Sequence, residues 1–233
     1  MTITGSILAA LAAIALLLSG PGTRWGWWNF KIGLLLFAVA FLAGLIGLLI
    51  SGIAWLRTHQ NPAAAIAAII CALIVFLPLT QLAGAFGKPR IHDISTDLND
   101  PPRFSAILPL RAKAPNKAPD RIDDATASMQ RAGYPDLVTL ELPIPADAAF
   151  AKAVDAAKEM EWEIVSTRPA EGILEATAST AWFGFRDDIV VRVRPDGAHS
   201  RIDVRSASRV GRGDAGKNAD RIRRYLHLLT SEN

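Results

Sequence analysis

Arginine is the side chain that recurs where this sequence could do chemistry. Residues 186–224 carry 11 basic and 6 acidic groups, and all but one of the basic ones are arginine. A guanidinium is a planar fork of donors that matches carboxylate and phosphate oxygens, and a helix N-terminus beside it adds partial positive charge. Arg205, Ser206, Ser208, Arg209, Arg212, Gly213, Gly216, Asn218 and Arg221 are therefore the expected ligand-binding residues. Their ligand would be an anion, such as a phospholipid headgroup or another acidic envelope component. The competing expectation pairs the arginines with Glu175, Asp203 and Asp220 on a solvated face, where such contacts contribute little.

Gly211, Gly213 and Gly216 spell G-x-G-x-x-G between a strand pattern and a helix pattern. A dinucleotide site also needs a following parallel strand with an acidic residue about twenty residues on, and the sequence offers none. The glycines are expected to make a tight turn, with Asp214 capping the helix start. Nucleophilic catalysis needs a positioned base, and His92, His199 and His227 have no convincing nucleophile partner in sequence. Asp123-Asp124 and Asp187-Asp188 are adjacent pairs, which on a strand point to opposite faces. His92, Asp93 and Asp97 could ligate a divalent ion, but without a second imidazole nearby they are read as turn-forming and hydrogen-bonding residues. No catalytic residue, metal site or cofactor is expected. The single cysteine, Cys71, excludes a disulfide within the chain.

The elements that must position the arginines follow from periodicity. Ile202 and Val204 alternate with Arg201, Asp203 and Arg205, the pattern of a half-buried strand. Ile222, Leu226 and Leu229 fall at helical spacing, so one stripe packs and the arginines face outward. Upstream, strands are expected over 137–144, 162–167, 173–185 and 188–194, a helix after Pro145, and a hairpin turn at Pro195-Asp196-Gly197. Residues 134–233 then form a soluble α+β domain, an antiparallel sheet with two helices on one face. Residues 87–133, rich in Pro, Asp and Ala, read as an extended linker with one short helix.

The run Asp203-Val-Arg-Ser-Ala-Ser-Arg-Val-Gly-Arg-Gly-Asp-Ala-Gly, followed by Asn218-Ala and Arg221-Ile, resembles the signature of the domain-of-unknown-function 1499 family. Ile91-His-Asp-Ile-Ser-Thr-Asp with Pro101-Pro102, and Gly133-Tyr-Pro-Asp-Leu, match further pieces in order, over about residues 90–230. The resemblance implies no particular activity. It does imply an extracytoplasmic setting.

Residues 1–86 contain Arg24, Lys31 and Arg57 as their only charged side chains, which leaves 22 basic and 22 acidic residues in the rest. The pI of about 9.2 thus belongs to an apolar first part and gives no reason to expect nucleic acid. Three uncharged runs, about 3–19, 32–55 and 62–86, are each long enough to cross a bilayer, the first ended by Gly20-Pro21-Gly22. Trp25, Trp27 and Trp28 form an aromatic belt between the first two. Loop charges favour a cytoplasmic domain only feebly. The chain is therefore read as a multi-pass protein of the bacterial inner membrane with a periplasmic domain. Its expected partners are the lipid bilayer and an anionic lipid headgroup or envelope protein. A non-catalytic binding role is favoured over the alternative, a hydrolase or other enzyme acting on an envelope component.

Overall fold

The computed structural model describes residues 1–58 and 61–231, so the last two residues of the expected second domain lie outside it. The chain divides into two compact units, Met1–Phe86 with Thr180–Gly184, and Gly87–Ser179 with Phe185–Asn233.

The first unit is built on three helices, α1 (Thr2–Arg24), α2 (Phe30–Thr58) and α3 (Pro62–Ala85), all long and apolar enough to cross a membrane. The expected end of the first span at Gly20 is not found, because α1 runs through Pro21 to Arg24. Pro21 removes one donor, whereas a helix end there would strand four carbonyls in apolar surroundings. The Ser19 and Thr23 hydroxyls bond back to the Leu16 and Ser19 carbonyls across this turn. Small residues bring the helices together: Gly33 lies against the Ser19 carbonyl, and Gly47 against Cys71 and Leu8. At α3, Asn61 Oδ1 accepts the Ala63 N–H and Pro62 opens the first turn, where a missing N–H costs nothing.

The second unit is an α+β domain. Its strands are β1 (Asp93–Ser95), β2 (Leu140–Leu142), β3 (Glu163–Arg168), β4 (Ile173–Ser179), β5 (Arg186–Asp196) and β6 (His199–Ser208). All pair antiparallel in the order β1-β6-β5-β4-β3, and β2 joins β6 on the edge that β1 also uses. Helices α4 (Asp124–Gly133), α5 (Ala146–Glu159) and α6 (Lys217–Thr230) complete it. Residues 87–133, expected as a linker with one short helix, are part of this unit; the short helix is found as α4, and the stretch also supplies β1. β4 stops at Ser179 rather than Phe185, because the apolar Thr180–Gly184 turns back on itself, with the Gly184 N–H bonded to the Thr180 carbonyl. At Gly172, left-handed with φ 65°, any side chain would run into the Val193 carbonyl.

One face of the sheet is apolar. Ile94, Leu174, Ile189, Val191, Ile202 and Val204 bury there against α5 and α6, the two helices expected on one face. Trp162 stacks on Tyr225 at 4.7 Å, and the Tyr225 hydroxyl donates to the Ala153 carbonyl. Burial pushes that hydroxyl's pKa up, so it stays a donor. The opposite face carries the charge.

Candidate functional site

Strand alternation sends the expected ligand residues of β6 to opposite faces: Arg205 one way, Ser206 and Ser208 the other. Arg205 is fully buried. Its Nε and Nη2 grip the two Asp93 oxygens at 2.9 and 2.7 Å, its remaining donors reach the Pro102 and Pro119 carbonyls, and its plane lies 5.3 Å from the Phe104 ring. Arg209 forks onto Asp188 at 2.9 and 2.7 Å, and Arg111 reaches the same carboxylate at 2.8 Å. Burial lowers the Arg111 pKa, a shift that Asp188 opposes.

Of the carboxylates expected to pair the arginines, none meets Arg205 or Arg209, but Asp203 does pair with two others of the set, Arg192 and Arg194. Glu175 accepts the backbone N–H groups of Ser105, Ala106 and Ile107 and one contact from Arg168. Asp203 takes Arg192 at 3.0 Å and Arg194 at 2.8 Å, and Asp220 takes Arg223. Most of this network is enclosed rather than solvated, covered by residues 97–120.

On the helix face, Ser206, Ser208, Asn218 and Arg221 close a second network. The Asn218 amide donates to Ser208 Oγ and the His92 carbonyl and accepts from Ser206 and Arg221, while Arg221 also pairs with Asp187. The turn before α6 is capped as expected, Asp214 accepting the Gly216 and Asn218 N–H groups at 2.9 and 2.8 Å. Burial pushes the Asp214 carboxyl up against those bonds. Gly213 packs on the Arg90 backbone, Gly216 is left-handed at φ 82°, and Arg212 is exposed. The nine residues are thus split between two closed networks and a capped turn.

A groove of about 570 Å³ opens elsewhere, between Thr96–Asp100, the end of α4 and the residues leading into β2, over β6. Asp97 and Asp100 line it, but both pair with Arg192 and Arg194. Gln130 is committed to both backbone groups of Ser95, and Thr139 to Asp203. Arg201 and Arg131 are different. Neither makes an ion pair among the described residues, and the Arg201 Nε is enclosed without any partner. A buried donor without a partner is costly, so an acceptor in the groove, water or an anion, would relieve the Arg201 Nε. Among the described residues no group of three or more His, Cys, Asp and Glu is placed to hold a metal ion.

Residues 93–229 match the family model described as "Protein of unknown function (DUF1499)", well over half of the chain. The chain belongs to the DUF1499 family. No curated protein matches it. The DUF1499 match begins at Asp93, the partner of Arg205, and ends at Leu229, a core residue of α6, so both networks and the groove belong to the family domain. The three apolar helices precede it as an N-terminal membrane segment. Sequence reasoning missed Arg131 and Arg201 as a pair. A signal for Arg201 existed, since the turn at Pro195-Asp196-Gly197 sets Arg194 directly across from it, two like charges competing for one carboxylate.

Proposed function

We propose that the chain is a non-catalytic binding protein of the bacterial envelope, held in the inner membrane by its three helices, whose DUF1499 domain takes up an anionic ligand on the periplasmic side. The observation that carries this reading is the groove-lining Arg201, half-buried and without an ion pair among the described residues, while Arg192 and Arg194 on the neighbouring strand are paired. Arg131, at the end of α4, adds a second unpaired cation. The ligand chemistry this suits is phosphate or carboxylate, met by a planar donor fork. No histidine lines the groove and its two carboxylates are tied to arginine, which favours binding over acid–base chemistry.

The test uses the full chain in detergent micelles, with thermal unfolding followed while inorganic phosphate, lysophosphatidylglycerol or the zwitterionic lysophosphatidylcholine is added. The anionic lipid should raise the midpoint, and Arg201→Ala should weaken that binding at least about tenfold, the loss of one charged hydrogen bond. Stabilisation by free phosphate as well would make the phosphate group the determinant; stabilisation by the lipid alone would add its glycerol or acyl part. Identical titrations of wild type and Arg201→Ala would overturn the reading. Sidedness has its own test. A reporter active only in the periplasm should work when fused after Asn233 and fail in the connection near Arg57, and the reverse pattern would move the domain to the cytoplasm.

A further inference from the structure

The first unit holds, besides its helices, the five residues Thr180–Gly184, sequence Thr-Ala-Trp-Phe-Gly. Their seat is a notch in α1. Gly20 leaves room that the Trp182 indole fills, and any Cβ there would run into the ring. The indole N–H points at Ser19 Oγ, 3.4 Å away, and the Phe183 ring meets Phe37 of α2 edge-on at 5.9 Å. Irregular backbone near a bilayer needs its polar groups satisfied. Here Arg24 Nη1 donates to the Ala181 carbonyl at 2.7 Å and the Gly184 N–H to the Thr180 carbonyl at 3.0 Å. Gly184, at φ 65°, lets this turn press against the Arg24 backbone.

We propose that Trp182 is a lipid-contacting wedge, inserted at the boundary between headgroups and acyl chains. With its N–H directed at Ser19, the ring has an apolar surface left over, and 41% of the residue is exposed. That surface continues the apolar exterior of α1, where Leu17 and Leu18 are also exposed. Depth supports the assignment. Gly20 lies five residues before Trp25, roughly 7.5 Å further along the helix at 1.5 Å per residue. The exposed Trp25 and Trp27 occupy the level expected of a headgroup belt, and Trp182 sits one and a half turns below it.

The inference is independent of the groove and its ligand. It is tested on the full chain in nanodiscs whose lipids carry bromine on shallow acyl carbons, with emission of the wild type compared with that of Trp182→Phe. The difference between them, the Trp182 signal, should be largely lost in brominated lipid and unaffected by aqueous iodide. A Trp182 signal that bromolipid leaves intact and iodide quenches would overturn the proposal. Gly20→Ala fills the notch without touching the tryptophan. Loss of the bromolipid effect in that variant supports the notch as the seat, and its retention overturns that assignment. Circular dichroism of each variant reports whether the helices and sheet persist.

Discussion

Arg205→Met is expected to destabilise the DUF1499 domain by about 3–5 kcal/mol, because it strands the Asp93 carboxylate in a buried site. Two carbonyls, Pro102 and Pro119, lose their donors in the same step, and Phe104 loses one of the two guanidinium groups over its ring. A domain of ordinary stability, about 5–15 kcal/mol, would be left marginal. Pulse proteolysis of the full chain across a urea series reads the loss as a fall in the unfolding midpoint. The second variant separates charge from shape. Arg205→Met with Asp93→Asn removes the uncompensated carboxylate and should recover at least about 1 kcal/mol of the single-variant loss, since groups in direct contact do not add. The same double variant should keep its anionic-lipid response, because its substitutions leave Arg201 in place. An Arg205→Met protein that held the wild-type midpoint and lost only ligand binding would reinstate Arg205 as a ligand contact.

Arg205 also shows how far the sequence could be read. Its alternation with Ile202 and Val204 placed it on the face away from the helices, and strands β2 to β6, α5, α6 and the Asp214 cap followed from the same local periodicities and turn residues. What covers that face had no period to reveal it. β1 is three residues long, and residues 97–120 run largely without regular structure, held by backbone N–H groups on Glu175 and by Arg111 on Asp188. Such contacts depend on tertiary placement, so the stretch looked like a linker and the arginines looked available. The groove was hidden for the same reason, since Arg194 and Arg201 are alike in sequence and differ only in which reaches Asp203. Conversely, Ala181-Trp-Phe-Gly-Phe reads as more strand because aromatic residues favour strands; in the fold it is an apolar tip whose turn ends β4.

Asp188→Asn is expected to cost as much as the loss of Arg205, about 3–5 kcal/mol, through the opposite sign of charge. Asp188 is fully buried and accepts from Arg111, from both arms of the Arg209 fork and from Thr177. Asparagine keeps the size of the side chain but leaves two guanidinium groups side by side without their counter-charge. Burial already lowers the Arg111 pKa, and losing Asp188 removes the largest opposing influence. Even so, arginine does not shed its proton near neutral pH, so the repulsion cannot be relieved by titration. Arg209, at 11% exposure, can shift toward water, whereas Arg111, at 3%, cannot. Removing the trapped cation should therefore help: Asp188→Asn with Arg111→Met should unfold at higher urea than Asp188→Asn alone. Because the groups are enclosed, the cost of Asp188→Asn should change little between low and high salt, in contrast to an exposed pair such as Lys158–Asp155. A loss that vanished in high salt would mean that water reaches Asp188 and that the network is a surface feature after all.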